Sequence, residues 1–191
     1  AVDSSVNVYV ADNDNCRVQK FDPSGKFLLK FGSRGTGDGQ FDSPRSVAVD
    51  SKDNVYVLDQ RLNNVQKFGP GGNFLQAYGI RGLDITIDDR DNFYIAVDNT
   101  ARKYDRNFNL VLQSGPGSGL ATAYSVDADT SSARIYVSDT DNHRILVFTD
   151  LPPPDRDGDG LTGTLDRDED GDGIRDSAEV SDTAQAEEES E

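Results

Sequence analysis

The chain contains no methionine and no tryptophan, a single cysteine, Cys16, and a single histidine, His143. One cysteine cannot form an internal disulfide, so thiol content leaves the redox compartment open in both directions. One histidine cannot build a multi-histidine zinc site from these residues alone. Long apolar runs are also missing, which excludes a bilayer-spanning helix. No methionine and no apolar leader core open the chain, so Ala1 is expected to be a processed terminus or, preferably, the cut end of a longer protein. Positive charge is scarce: 19 Lys and Arg stand against 35 Asp and Glu, a formal charge of -16 over 191 residues. Such a field repels phosphate backbones and anionic bilayers and attracts cations, so no nucleic-acid partner is expected.

The charge is unevenly spread. Residues 151–191 hold 15 acidic side chains and three arginines, a net of -12, whereas residues 1–150 hold 20 acidic and 16 basic side chains, a net of -4. Leu151-Pro152-Pro153-Pro154 lies at the junction, and three consecutive prolines impose a stiff extended spacer that cannot continue a sheet ladder. The expected organisation is therefore a folded region at 1–150, a linker at 151–154, an Asp-rich segment at 155–180 and a disordered acidic tail at 181–191.

The first 150 residues repeat. Val55-Tyr56-Val57-Leu58-Asp59 recurs as Val8-Tyr9-Val10-Ala11-Asp12, Phe93-Tyr94-Ile95-Ala96-Val97-Asp98 and Ile135-Tyr136-Val137-Ser138-Asp139, with the tyrosines 47, 38 and 42 residues apart. Three copies are preceded by an alternating run ending in an acid: Val47–Asp50, Ile85–Asp88 and Val126–Asp129. After each tyrosine strand, an Asn/Asp-rich turn leads to a third run (Arg17–Phe21, Val65–Phe68, Arg102–Tyr104, Arg144–Phe148). A Gly or Asn turn then leads to a fourth (Lys26–Gly32, Asn73–Gly79, Asn109–Leu112). Four short alternating strands per unit of about 42 residues describe a propeller blade, and no stretch sustains a helical period. The fold class is all-β. Fourteen strands are expected, in an open arc of two whole and two partial blades; the first copy is read as lacking its leading strand and the last as lacking its final one. Six blades would need about 250 residues, so the parent is expected to be a larger propeller.

Asp139-Thr140-Asp141-Asn142-His143-Arg144-Ile145-Leu146-Val147-Phe148, preceded by Ile135-Tyr136-Val137, resembles the NHL repeat, named for its Asn-His-Leu signature. Asp12-Asn13-Asp14-Asn15-Cys16-Arg17-Val18-Gln19-Lys20-Phe21 and the run Gly39–Asp50 fit the same pattern. The histidine position reads as Cys16 in the first copy and Asn64 in the second, and the third has a shortened turn, Asp98-Asn99-Thr100-Ala101. The resemblance covers residues 6–149 and implies a β-propeller whose parent has six blades.

The acidic segment carries a different pattern. Asp168-Glu169-Asp170-Gly171-Asp172-Gly173-Ile174-Arg175-Asp176-Ser177-Ala178-Glu179 places acids at positions 1, 3, 5, 9 and 12 of a twelve-residue calcium loop and glycine at position 6. Alternate carboxylates curl round a hard cation that takes six to eight oxygens, Gly173 permits the bend, Ile174 offers its carbonyl and Glu179 closes the far side. Thirteen residues earlier Asp155, Asp157, Asp159, Leu161 and Asp166 repeat the arrangement with fewer and shorter carboxylates, which predicts a weaker site. The tandem spacing and the Asp-x-Asp-Gly-Asp-Gly core, with Pro154 blocking a preceding helix, resemble thrombospondin type 3 repeats in a cysteine-free form. That resemblance implies Ca²⁺ as the cofactor. Loose loops of this kind fill at roughly 10⁻⁴ to 10⁻³ M calcium, which points to an extracellular or cell-surface location of bacterial or archaeal type.

The remaining candidates read as structural. Tyr9, Tyr56, Tyr94 and Tyr136 share one strand position and are expected in the blade core. Asp12, Asp59, Asp98 and Asp139 end their strands, where a carboxylate caps turn amides. His143 and Cys16 belong to turns, and Arg45, Arg61 and Arg81 lie in or near connections where they can face a partner. The expected function is a surface interaction or sensing scaffold, not an enzyme, taking a protein or surface-polymer ligand on the propeller face and stiffened by calcium at its C-terminal end. Two alternatives are a propeller enzyme of the amidating-lyase or lactonase kind and a cytosolic RNA- or ubiquitin-ligase-associated propeller.

Overall fold

Period-two alternation sends successive side chains to opposite faces of a strand, so a segment whose both faces are apolar demands a neighbour on each side. The computed structural model describes residues 1–114, 118–129 and 134–149. The chain separates into the units Ala1–Phe148 and Thr149–Glu191. The described residues form strands joined by turns, with 3₁₀ turns at Asn13–Asn15 and Thr140–Asn142.

Blade I comprises β1 (Val8–Asp12), β2 (Arg17–Phe21) and β3 (Phe27–Phe31), antiparallel in that order. A short parallel pair, β4 (Ser33–Arg34) with β5 (Gln40–Phe41), lies in the connection to blade II. Blade II is β6 (Pro44–Val49), β7 (Val55–Asp59), β8 (Asn64–Phe68) and β9 (Phe74–Tyr78). Blade III is β10 (Asp84–Ile87), β11 (Phe93–Val97), β12 (Thr100–Tyr104) and β13 (Leu110–Gln113). Blade IV is β14 (Ala123–Asp129), β15 (Arg134–Asp139) and β16 (Arg144–Thr149). The fourteen blade strands follow the expected pattern. Two details differ.

First, the leading strand of blade I is present at its end. Ala1-Val2-Asp3 repeats Ala48-Val49-Asp50; Tyr9 N donates to Ala1 O at 2.9 Å, the Ala1 amine donates to Tyr9 O at 3.2 Å, and Val2 bridges to Val8. Ala48 and Val49 meet Tyr56 and Val55 in the same register. Second, Asn63 rather than Asn64 stands at the histidine position. Asn64 pairs with Asp59 across the ladder as Arg17 does with Asp12, while Asn63 takes the left-handed conformation (φ 52°) shared by Cys16 (49°) and His143 (52°).

Each inner blade buries two unlike faces. Toward the following blade it presents its tyrosine, and toward the preceding one it presents the residues on either side of that tyrosine. Tyr9, Cys16 and Val18 of blade I pack on Val55, Val57 and Phe68 of blade II and on Phe41 of the connection between them. Tyr56, Leu58 and Val65 pack on Phe93, Ile95, Val97 and Tyr104 of blade III. Tyr94 and Ala96 pack on Ile135, Val137 and Val126 of blade IV. The central strands β7 and β11 are accordingly buried at every position, and the outer strands β9 and β13 are not. With a non-directional gain of about 25 cal/mol per Å² of apolar surface removed from water, stacking of repeats supplies the core that no blade has alone.

Candidate functional site

In antiparallel blades the turns after the first and third strands gather at one end of the arc, and the turns after the second strand, with the inter-blade connections, gather at the other. The two rims are built from different chemistry.

At the first rim one five-residue turn recurs: Asp3–Asn7, Asp50–Asn54 and Asp88–Asn92. Its fourth residue is left-handed (Val6, Asp53, Asp91; φ 61–63°). One oxygen of Asp50 accepts Lys52 N at 2.9 Å and Asn54 N at 2.8 Å; the other accepts Asn54 Nδ2 at 2.8 Å and the Tyr56 hydroxyl at 3.1 Å. Asp88 is held identically by Arg90 N, Asn92 N, Asn92 Nδ2 and the Tyr94 hydroxyl. Asp3 takes Ser5 N, Asn7 and Tyr9, and adds Lys20 Nζ at 2.8 Å. Lysines sit over the tyrosine rings, Lys20 on Tyr9 at 4.8 Å, Lys67 on Tyr56 at 5.0 Å and Lys103 on Tyr94 at 5.3 Å, in a cation–π arrangement. The tyrosine register anticipated the aromatic member of this network, but not its Asp, Asn and Lys partners. Their spacing, Asp-x-x-x-Asn-x-Tyr three times over, was the available signal.

Burial alone would push the Asp50 and Asp88 carboxyls up, but the hydrogen bonds from Asn54 and Asn92, the turn amides and the tyrosine hydroxyls outweigh it and leave both lowered. Burial, together with the adjacent Asp50 charge, pushes the Tyr56 hydroxyl well above its ordinary range. A carboxyl lowered in the folded state contributes stability that is complete above its unfolded pKa, about 3.9, and is lost as pH falls through the folded value. The melting temperature is therefore expected to hold from neutrality to about pH 4 and to fall steeply below it. Asp50→Asn should flatten that acid limb, as followed by circular dichroism. An unchanged acid limb in the variant would remove Asp50 from the account.

The same rim is clasped between blades. Ser4 N and Oγ each donate to Asp53 at 2.8 Å, and Ser51 N and Oγ each donate to Asp91 at 2.8 Å. A cleft of about 410 Å³ lies here, with Asp3, Asp50, Asp53, Asp88 and Asp89 in its lining. Four of these carboxylates are already engaged by turn amides, side chains or the clasp. Among the described residues no three or more His, Cys, Asp or Glu side chains are grouped to hold a metal ion. Deeper along the inner strands Asp84 links three blades: it accepts Ser46 Oγ of blade II at 2.6 Å, and from blade IV the Ser125 hydroxyl and Val126 N, the latter at 3.0 Å.

The second rim holds the strand-ending acids. Asp59 is fully buried and accepts four backbone amides, from Asp42 (2.8 Å), Ser43 (3.0 Å), Arg61 (3.0 Å) and Leu62 (3.0 Å). Asp139 accepts Ala121 N and Thr122 N together with Asn142 Nδ2 and Arg144 Nε. Burial opposes its ionisation, but these donors prevail and hold it far below the usual carboxylate range. Asp12 departs from pure amide capping: besides the Asn15 amide it is bound by the side chains of Asn15, Arg17 and Gln19. Asp98 departs further. It forms the two-residue hairpin of blade III with a left-handed backbone (φ 51°), and its exposed carboxylate pairs with Arg81. Cys16 is buried at its turn, with Sγ 3.6 Å from Asp42 O.

Arginines stand out on this rim. Arg45 hydrogen-bonds Gln60 Oε1 at 3.1 Å and lies 4.4 Å from the Tyr124 ring centre. Arg34 and Arg61 both lie 3.7 Å from one Asp42 oxygen, and their side chains, like that of Arg81, are mostly exposed. The candidate calcium ligands Asp155, Asp157, Asp159, Leu161, Asp166, Asp168, Asp170, Asp172, Ile174, Asp176 and Glu179 lie outside the described residues.

Blades of four antiparallel strands stacked side by side through unlike faces define a β-propeller. The chain belongs to the 6-bladed beta-propeller family, whose pattern it matches over residues 3–134. Solved structures with this fold include a protein of unknown function from Bacteroides caccae (14% identity, TM-score 0.60, 77% of this chain and 61% of that one). Others are the hydrazine synthase of Kuenenia stuttgartiensis (13%, 0.57, 71% and 40%) and virginiamycin B lyase from Staphylococcus aureus (12%, 0.53, 78% and 53%). The chain thus spans less than two thirds of each of these structures. No curated protein matches the sequence.

Proposed function

We propose that this chain is a surface-exposed interaction scaffold: an NHL-like propeller that recognises a protein or surface polymer through its arginine-bearing rim, joined to a calcium-binding segment of thrombospondin type 3 kind. The observation that carries the recognition part is the second rim. Its recurrent acids are engaged in holding turns and in ion pairs, while Arg34, Arg61 and Arg81 keep mostly exposed side chains on their Asp42 and Asp98 partners and Arg45 lies over the Tyr124 ring. Arginine and tyrosine are the side chains that most often carry binding energy at protein interfaces. The calcium part rests on the loop pattern at 168–179 and its weaker partner at 155–166. Filling such loops neutralises clustered carboxylates, which supports a tail that contracts in millimolar calcium and a location outside the cytosol.

Calorimetric titration of the chelator-treated chain with calcium tests the second part. Saturable heat is expected in the range of roughly 10⁻⁴ to 10⁻³ M, reduced at least tenfold in affinity by Asp168→Asn with Asp172→Asn. No heat up to millimolar calcium would end both the calcium assignment and the location drawn from it. The recognition part is tested by binding to a panel of purified surface proteins and polysaccharides, where Arg61→Ala with Arg81→Ala should abolish any binding observed. Binding that survives those changes would move the recognition surface elsewhere.

A further inference from the structure

One donor position recurs beneath the second rim, and blade III departs from its pattern. In blade I the third residue of β2, Gln19, donates Nε2 to the strand-ending carboxylate of Asp12 at 3.0 Å. In blade II the same position is Gln66, which donates Nε2 to Gln40 O at 2.7 Å and accepts Gly39 N at 2.9 Å. In blade III it is Arg102, opposite Ile95 as Gln66 is opposite Val57 and Gln19 opposite Val10. Period-two alternation puts Arg102 on the strand face of Tyr104, which is buried against blade II. It therefore lies at the junction of two blades whose strands are all described.

Neither acceptor exists for Arg102. Counted from the equivalent tyrosines, the place of Asp12, Asp59 and Asp139 belongs in blade III to Val97, which pairs with Thr100 as Asp59 does with Asn64. Asp98, one residue further on, pairs with Arg81. The connection before β6 runs over residues 32–43, and the one before β10 only over 79–83. Counted back from the equivalent Ser46 and Asp84, the place of Gln40 falls on Tyr78, which is already within β9. Arg102 Nε is accordingly buried with no hydrogen-bond partner, and no described carboxylate pairs with its guanidinium. A cation whose N–H has lost water without gaining an acceptor is costly unless an anion completes it.

We propose that the junction of blades II and III binds a carboxylate from outside the chain, with Arg102 as its anchor, where the other blades supply an acid of their own. The planar fork of a guanidinium matches the two oxygens of a carboxylate, which a compact ammonium does not. An acidic peptide and a uronic-acid polysaccharide offer this group alike. The counterparts of Arg102 in the other blades are Gln19, Gln66 and Leu146, so the site is single rather than repeated. It deepens the reading of the second rim as a recognition surface and rests on that reading, but it uses none of Arg34, Arg61 and Arg81.

Titration of the 191-residue chain with sodium acetate, at constant ionic strength balanced by chloride, tests this through the Arg102 Nε–H resonance in ¹H–¹⁵N spectra. The resonance should move saturably with acetate; a resonance that stays still, or that moves equally in chloride alone, overturns the proposal. Acetate should also raise the melting temperature, as any ligand of the folded state does. Arg102→Lys should weaken that effect at least about tenfold in acetate concentration. Arg102→Gln, which gives the position the side chain it has in blades I and II, should abolish it. Triglutamate and trigalacturonate separate the two sources: whichever binding Arg102→Gln removes names the source, and removal of neither overturns the proposal. Arg61→Ala with Arg81→Ala keeps this site apart from the rim reading. Acetate binding that the double variant keeps and Arg102→Gln loses supports the site. Acetate binding lost in the double variant but kept in Arg102→Gln overturns it and leaves the rim reading in place.

Discussion

Replacing Asp59 with alanine is expected to lower stability by about 3 kcal/mol or more, a drop of roughly 6 to 12 °C in melting temperature for a domain of this size. The carboxylate is fully buried and is the acceptor for four backbone amides that belong to two segments, Asp42 and Ser43 from the approach to β6, and Arg61 and Leu62 from the turn after β7. A methyl group leaves those donors without a partner, and a buried unsatisfied amide costs about 1 to 3 kcal/mol. Asp59→Asn should recover only part of the loss, since one carbonyl oxygen replaces two carboxylate oxygens and the amide nitrogen brings further donors toward the same group of N–H bonds. Thermal unfolding of the two variants decides the matter. A loss below about 0.5 kcal/mol in Asp59→Ala, the level of an ordinary surface change, would mean that water takes over the four amides.

Phe68→Ala is expected to cost about 3 to 5 kcal/mol, the range for removing a buried aromatic ring. Phe68 lies at the contact of blades I and II, with ring centres of Phe31, Phe41 and Phe74 at 4.8, 5.6 and 5.9 Å. Three aromatic neighbours cannot all move into the vacated space without leaving rotamer minima, so a cavity persists where close packing had been. Leu75 on the outer strand of the same blade is 48% exposed, and Leu75→Ala should change stability by no more than about 0.5 kcal/mol. Equilibrium denaturation of both variants compares them directly. Similar losses at the two sites would show that the inter-blade core does not dominate stability.

Several features were legible along the chain because they are local. Tyr9, Tyr56, Tyr94 and Tyr136 recur in strand register, and the first three are buried on one side of their blades. A Gly or Asn turn was expected before each fourth strand, and Gly25 and Gly72 in two of those turns take positive φ (85° and 81°). Asn63 and Asn64 could not be told apart by composition, since both suit a turn; the cross-strand pairing of Asp59 with Asn64 separates them. The end of the first leading strand was hidden for another reason: Ala1 and Val2 are too few to show a period, although Ala1-Val2-Asp3 copies Ala48-Val49-Asp50 letter for letter. Asp98 was grouped with Asp12, Asp59 and Asp139 by its place after a strand, but it falls within a two-residue hairpin and pairs with Arg81.

By itself the sequence determined the strands, the turns, the four-strand unit and the count of repeats, because alternation, left-handed positions and Asp-to-amide turns are set by residues within a few places of one another. Tertiary structure alone decided which face of each blade meets which, that Asp84 ties three blades through contacts about 40 residues apart, and that Val8, Val10, Ile145 and Val147 stand open. Those outcomes depend on how one blade is seated against the next, and on there being no described blade beyond blade I or blade IV to cover the outermost faces. A repeat records the first of these only as a shared pattern, and it carries no mark of the second.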